Sequence, residues 1–529
     1  MSKNMYPKVV VDSPDVTYSE HFIEAKYNYT SNTVVESDDG HVVVKPKCTK
    51  LTIQTDRKVP KLGVMLVGLG GNNGVTFASA LLANKHKMTW ETKKGSVTSN
   101  WLGSITQCSS IRLGNSENED YYVPLSDVVP LVDPDDILLD GWDISSADLA
   151  SALKRAKVLD YDLQRQLKPY LEKIKPRPSI YNYSFIASNQ EERADNILKG
   201  TCKQNFDQIR TDIREMKNTA DKVIVLWTAS TERYSEIVPG VHDTAKNVLK
   251  AIEMNDDRLS PSTLFALASI LEDCPFINGS PQNTFIPGVV ELAQQQGVFI
   301  AGDDFKSGQT KVKSAIVEFL LNAGIKPVAI ASYNHLGNND GKNLSSQAQF
   351  KSKEISKSSV IDDMIKANKF IYSPGEKVDH LVDIKYVPYV GDSKRALDEY
   401  TSELMLGGTN TLVLHNTCED SLLATPIILD LVILAEFATR VKFRSESGSV
   451  YIPFEPILSM LGYLCKSPLV PKGTPVINAL SKQKACIDNI LRACIGLPPE
   501  HSMGLEFKLP KCLFFTKENG YKQNYIEFM

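Results

Sequence analysis

The sequence predicts an α/β protein built on an open, doubly wound parallel sheet. Three observations carry that expectation. Apolar, β-type runs recur along the chain, helix-patterned stretches separate them, and several of the runs end in a cluster of small or polar residues. In a doubly wound sheet such ends gather at one crevice, where ligands bind. At 529 residues the chain exceeds what a single hydrophobic core usually serves, so two or more domains are expected.

Residues 1–59 hold short β-type runs at Val9–Val11, Val42–Val44 and Leu51–Ile53 and no dominant helix. They read as strands added to a domain formed later in the chain. Next comes KLGVMLVGLGGNNG (61–74), then the helix-like VTFASALLANK. A buried strand, a glycine-rich turn and a helix form the setting of a dinucleotide fingerprint. Gly68 and Gly70 fit its first two glycines; Asn73 stands at the third, with Gly74 one residue late. The helix N-terminus would offer N–H groups to a pyrophosphate. The acid expected on the ribose is left open: spacing favours Glu91, whereas Asp143 ends a better strand, ILLDGWD. Residues 89–130 between them look like an insertion.

Helical, charged residues 145–175 lead to PSIYNYSFIASNQEER, read as strand, loop and helix, and to a further helix over 200–220. KVIVLW (222–227) is a buried strand ending in Thr228, Ala229, Ser230 and Thr231. Helices over Thr244–Met254 and Ser262–Leu271 precede a loop with Gly279, Ser280 and Asn283. A strand over Gly297–Ala301 ends in Gly302, Asp303, Asp304, Phe305, Lys306, Ser307 and Gly308.

The most unusual stretch is 330–359. A β-type run, Lys326–Ser332, breaks into a loop with Asn334, His335, Asn338, Asn339 and Asp340, more polar groups than a turn needs. If the following segment is helical, Lys353 and Lys357 share one face at i and i+4 and suit a small phosphorylated substrate. The alternative is a solvated surface helix. Further on, Lys377–Val387 reads as strand, and Lys394 is expected just inside a helix whose start carries Gly391, Asp392 and Ser393. Asp420 falls at a strand-to-helix loop, before a core helix over Ser421–Arg440. Residues 451–510 hold two more helical segments, with Lys466 in the short loop GYLCKSPL.

Hydrophobic content of 42%, charged content of 23% and a net charge of −4 are ordinary for a soluble globular protein and supply no basic field for nucleic acid or an anionic membrane. Nine scattered cysteines, an odd number without a C-x-x-C, fit reduced cytosolic thiols. No H-E-x-x-H or Cys/His cluster suggests zinc, so no metal is expected. The N-terminus lacks the apolar core of a signal peptide. The apolar run Leu422–Phe437, interrupted by Asp430, reads as a buried helix too short to span a bilayer. A cytoplasmic protein without nucleic-acid or membrane partners is expected.

GLGGNNG (68–74), SGQTK (307–311), SYNHLGNNDG (332–341), SKEISKSSVIDD (352–363), GDSK (391–394), ELMLGG (403–408) and NTCEDSLLATP (416–426) together closely resemble the inositol-3-phosphate synthase family, in its fungal form. The resemblance runs from about residue 10 to about 509, and the tail beyond Leu509 departs from it. It implies a Rossmann-type NAD-binding domain (60–310) with an inserted α+β catalytic and oligomerisation domain (311–423), a return to the central domain (424–509), N-terminal strands (1–59) and an atypical tail (510–529). It further implies NAD-dependent conversion of D-glucose 6-phosphate to 1D-myo-inositol 3-phosphate by a homotetramer. The scheme is oxidation at C5, proton loss from C6, closure of the enolate onto the C1 aldehyde, and reduction. Such chemistry needs a base, which a lysine of lowered pKa can supply, and cationic donors in a site closed to water.

By position, the resemblance places Lys353 at the C5 oxygen with Asp304 in its relay, Lys394 as a second cation there or at the enolate, and Lys466 as donor to the C1 carbonyl, with Asp420 in the same catalytic group. Lys357 and Ser307 would hold the phosphate, and Asn334 and Asn338 would position the substrate. For NAD it implies Gly70, Gly71, Asn72 and Asn73 at the pyrophosphate and Asp143, rather than Glu91, at the ribose. Ser179, Thr228, Ala229, Gly279, Ser280, Asn339, Asp340, Gly391 and Asp392 would complete the cofactor site, together with Asp304, Ser307, Asn338, Lys353 and Asp420.

Overall fold

The computed structural model describes residues 8–116 and 119–510. In chain order, β1 (Val16–Tyr18), β2 (Phe22–Glu36) and β3 (Val42–Asp56) form an antiparallel meander. The expected Val42–Val44 and Leu51–Ile53 runs are the two ends of β3, while Val9–Val11 lies outside the strands. β4 (Leu62–Val67) follows, buried at every position, and leads into the helix Asn72–Lys85. Between that helix and the next central strand lie two hairpins, β5 (Thr89–Thr92) with β6 (Gly95–Thr98) and β7 (Ser110–Ser116) with β8 (Glu119–Pro124), so 89–130 is an insertion as expected.

The central sheet continues with β9 (Leu138–Asp143), β10 (Arg177–Pro178), β11 (Lys222–Trp227), β12 (Phe276–Asn278) and β13 (Ile300–Ala301). Its spatial order is β10-β9-β4-β11-β12-β13, all parallel. Renumbered along the sheet, that is 3-2-1-4-5-6, the order of a doubly wound dinucleotide-binding fold, whose switch point falls between the first and fourth strands. Here it falls between β4 and β11. The strand expected over Gly297–Ala301 is shorter, because Gly297 ends the preceding helix at φ +67°.

A second, four-stranded sheet comprises β14 (Lys326–Leu336), β15 (Asp379–Tyr386), β16 (Ser393–Glu403) and β17 (Thr409–Glu419), in the order β15-β14-β16-β17. Two expectations are corrected here. β14 runs on through Asn334 and His335, so Asn334 is a strand residue whose side chain faces inward. The segment from Ser393, expected as a helix around Lys394, is β16. Its residues are helix formers, yet Ala396, Asp398, Tyr400 and Ser402 are buried in alternation, and β14 and β17 pair with it on both edges. Period-2 burial between two partners overrides local propensity. Finally β18 (Val441–Ser445) and β19 (Ile452–Pro453) extend the N-terminal meander into five strands, giving β1–β3 the later partner the sequence suggested. The tail expected after Leu509 lies, from Lys511 on, outside the described residues.

The helix Asp420–Thr439 is longer than the apolar run suggested; its 20 residues are long and apolar enough to cross a bilayer. It lies instead in the core, buried over most of its length. Asp430 within it is 1% exposed and explains the break in the run. Its carboxylate accepts from Ser104 Oγ at 2.6 Å, Ile105 N at 2.8 Å, and Thr106 N and Oγ1 at 2.9 and 2.7 Å, pinning the insertion to the core. Asp430→Ala strands two buried N–H groups, at a cost of about 2–4 kcal/mol. The thermal midpoint is expected to fall by several degrees, and an unchanged midpoint would show the anchor to be dispensable.

Candidate active site

The turn after β4 is shaped by steric necessity. Gly68 has φ +97°, and a Cβ there would lie 2.7 Å from the backbone of Ala229. A Cβ on Gly74 would lie 2.4 Å from the Gly68 carbonyl oxygen. Gly74 therefore does the work of the third glycine, close packing of helix on turn, one residue later than the usual spacing. The helix Asn72–Lys85 begins at Gly71 with no side-chain cap, so its first N–H groups remain available to an anion. Asp143 ends β9 and is 4% exposed, with Arg193 Nη2 at 3.5 Å from Oδ1. Glu91 lies exposed on the β5–β6 hairpin and contributes nothing to the cavity wall.

Gly68, Gly71, Asp143 and Arg193 line a cavity that opens to solvent. Its wall includes Gly71, Asn72, Asn73, Asp143, Ser179, Thr228, Ala229, Gly279, Ser280, Asp304, Ser307, Asn338, Asn339, Asp340, Lys353, Lys394, Asp420 and Lys466. Small groups past β4 and β11, an unmatched helix start and an acid at the end of β9 suit a dinucleotide with free ribose hydroxyls. Five sequence candidates lie outside the wall. Gly70 backs onto Asp143, which a Cβ would approach to 3.2 Å. Gly391 and Asp392 stand behind it: the Asp392 carboxylate accepts from Asn338 Nδ2 at 2.8 Å, from Ser421 N at 2.9 Å and from Ser421 Oγ at 2.8 Å, fixing the start of the helix Asp420–Thr439. Asn334 and Lys357 are buried and hydrogen-bonded to each other, Lys357 Nζ donating to Asn334 Oδ1 at 3.1 Å.

The helix Gln347–Ser358 forms as the lysine spacing required, and both Lys353 and Lys357 are buried on its inner side, 9% and 4% exposed. The surface-helix alternative is thereby excluded. Lys353 Nζ meets Asp304 Oδ1 at 2.9 Å, and Ser356 Oγ, one turn along the same face, donates to Oδ2 at 2.8 Å. Lys466 Nζ reaches the same Oδ1 at 3.2 Å. Lys466 is 4% exposed, although its short loop reads as surface. Main-chain pairing puts it there: Lys466 N donates to Asp304 O at 2.7 Å and Asp303 N to Ser467 O at 2.7 Å. Asp304 sits at φ +60°, a left-handed conformation costing on the order of 1 kcal/mol, which this pairing holds in place. Across the cavity Lys394 Nζ faces Asp420 Oδ1 at 3.4 Å.

The two lysines on Asp304 differ in charge behaviour. Burial opposes the charge on Lys353, but Asp304 and then Asp340 overcome it and hold its pKa above the ordinary lysine value. Burial lowers Lys466 to about 7, and the neighbouring cations Lys353 and Lys394 press the same way against the pull of Asp304. Burial would raise Asp304, yet Lys353 and Lys466 keep it well below the usual carboxylate range. Asp340 is pushed up by burial. Lys353 is thus held charged, whereas charge on Lys466, as on the buried Lys357, is disfavoured.

Three contributors escaped sequence reasoning. Arg193 beside Asp143 gives no local signal. Gln309 was visible only as a letter of SGQTK, and its partner Asp398 sat in a segment read as helix.

A family model described as myo-inositol-1-phosphate synthase, an NAD-binding one, matches residues 62–492. Inositol-3-phosphate synthase 1-A of Xenopus laevis is 60% identical over 515 residues, covering 97% of this chain and 91% of that one. Inositol-3-phosphate synthase of Brassica napus is 57% identical over 503 residues, 94% of this chain and 99% of the relative. The crystal structure of inositol-3-phosphate synthase from Caenorhabditis elegans superposes with a TM-score of 0.93 at 48% identity, covering 95% of this chain and 99% of that one. These relatives are animal and plant, and the fungal form expected from the motifs gains no support from them. With the family model spanning most of its length and such relatives matching nearly all of it, the chain belongs to the myo-inositol-1-phosphate synthase family.

Proposed function

We propose that the chain catalyses the reaction its relatives are named for, the NAD-dependent cyclisation of D-glucose 6-phosphate to 1D-myo-inositol 3-phosphate. The observation that carries this reading is the convergence of Lys353, Lys466 and Lys394, from three separate segments, with Asp304 and Asp420 beside the glycine-rich turn. NAD, when bound, supplies the oxidation at C5 and the closing reduction. We assign its pyrophosphate to the helix start at Gly71, Asn72 and Asn73, with Gly70 leaving room, and its ribose to Asp143. Ser179, Thr228, Ala229, Gly279, Ser280, Asn339 and Asp340 extend that wall, and Gly391 and Asp392 support it from behind.

The cationic groups divide the remaining work. Lys353 stands at the C5 oxygen with Asp304 in its relay, which takes up the hydroxyl proton as C5 is oxidised and returns it in the closing reduction, while the ammonium stabilises negative charge there. Lys466 exchanges its proton near neutrality and serves the C1 oxygen during ring closure. Lys394, backed by Asp420, stands as the second cation for the enolate. Ser307 and Lys357 hold the phosphate, and Asn334 and Asn338 orient the substrate around it.

We place the enzyme in the cytosol as a homotetramer. Every cysteine among the described residues is free, as a reducing compartment requires. The second sheet leaves one face open, where Tyr333, Leu381, Leu397 and Val413 are 46%, 49%, 39% and 68% exposed. An apolar face of this kind suits burial against another copy.

Glucose 6-phosphate with catalytic NAD is expected to yield inositol phosphate without net NADH at 340 nm; accumulating NADH with no inositol phosphate would mark an ordinary sugar-phosphate dehydrogenase instead. Lys466→Arg keeps the charge but not the exchangeable proton. It should lower kcat by about 10²–10⁴-fold and erase the ionisation near pH 7 from the rate profile; a variant retaining that ionisation assigns it elsewhere. Lys353→Ala with full activity would remove Lys353 from the mechanism. Sedimentation should report a tetramer that Val413→Glu weakens, and an active, monodisperse monomer contradicts the assembly.

A further inference from the structure

Among the described residues, the hydrogen bonds of the buried Lys357 Nζ go to two amide oxygens. Nζ donates to Asn334 Oδ1 at 3.1 Å and to Gln309 Oε1 at 3.4 Å. Lys357, Asn334 and Gln309 are all buried. An amide offers either its oxygen or its NH₂, according to what engages the other end. Asn334 Nδ2 is tied to the Asp383 carbonyl at 3.2 Å, and Gln309 Nε2 donates to Asp398 Oδ1 at 2.6 Å. Asp398 is 1% exposed on β16, and its second oxygen accepts from the Tyr400 hydroxyl at 3.2 Å. A carboxylate only accepts, so Asp398 leaves Gln309 one orientation, NH₂ toward the acid and oxygen toward the lysine.

We infer that Asp398 is a positioning residue for recognition of the substrate's phosphate: through Gln309 it presents a neutral oxygen to Lys357 while keeping its own carboxylate one side chain away. This rests on reading the chain as an enzyme of glucose 6-phosphate. A carboxylate in place of Gln309 would pair with Lys357 directly and repel a phosphate dianion. A turned amide would set NH₂ against NH₃⁺ and leave both donors unmatched in a buried site. The intervening amide avoids both. Burial, and then Lys394, Lys466, Lys313 and Lys353, already disfavour charge on Lys357. An incoming dianion supplies the counter-charge that favours the ammonium form of Lys357.

The arrangement predicts a split between substrate binding and turnover. Asp398→Ala should raise KM for glucose 6-phosphate roughly tenfold or more, the effect of losing one hydrogen bond to a charged group. kcat and calorimetric NAD affinity should stay within about twofold of wild type. Asp398→Asn should recover the wild-type KM, because Oδ1 still accepts from Gln309 and Nδ2 can donate to the Tyr400 oxygen. In a Gln309→Met background, Asp398→Ala should add nothing, since the residue acts through the amide.

An unchanged KM in Asp398→Ala, a parallel loss of kcat and NAD affinity, an Asn variant as impaired as Ala, or additive effects with Gln309→Met would each overturn the inference. If Asp398→Ala does not fold, Asp398→Asn and Gln309→Met decide it: the first must match wild type and the second must raise KM. Wild-type protein that makes no inositol phosphate would defeat the functional reading itself. Normal wild-type turnover without the split defeats this inference alone.

Discussion

The Asp304 carboxylate is the interaction on which the site depends. It takes Lys353 from the helix Gln347–Ser358 and Lys466 from a loop 162 residues away in sequence, both on the same oxygen. Two ammonium groups sharing one buried carboxylate cannot both stay charged without cost. Here the cost falls on Lys466, because Lys353 also has Asp340 beside it. One acid thereby leaves two lysines unlike, one held charged and one whose charge burial disfavours. That division suits a reaction which must stabilise one oxygen while moving protons at another.

The fold supplies the rigid frame for this arrangement. The switch point between β4 and β11 opens a crevice for a dinucleotide, and the second sheet closes over it. β14 and β16, register partners over most of their length, carry Asn334 and Lys394 to that closure. Asp392, at the foot of β16, ties Asn338, Asn72 and the start of the core helix into one hydrogen-bonded unit. A change at Asp392 would therefore reach the cavity wall and Asp420 together.

What the sequence made legible was local. The strand, turn and helix at 61–85 follow from short-range sterics, and the common face of Lys353 and Lys357 follows from i, i+4 spacing, though its burial depends on the elements packed against it. Spacing and strand context left Glu91 and Asp143 open; the fold puts Asp143 at the end of β9 on the cavity wall and Glu91 on an exposed hairpin. What stayed hidden depended on contacts between distant segments. β16 is composed of helix formers and becomes a strand only because β14 and β17 flank it. A single lysine in GYLCKSPL carries no sign that main-chain pairing with Asp303 and Asp304 will bury it. The choice between Lys353 and Lys466 as the readily deprotonated lysine rests on which carboxylates surround each, a property of the assembled site.

A structure of the enzyme with NAD and 1D-myo-inositol 3-phosphate bound would test the central claim most directly. The account predicts Lys353 Nζ within about 3 Å of the oxygen that began on C5, with Lys466 at the oxygen that began on C1 and Asp304 still bridging the two lysines. Neither lysine within hydrogen-bonding reach of the ring, or Asp304 released from one of them, would contradict it.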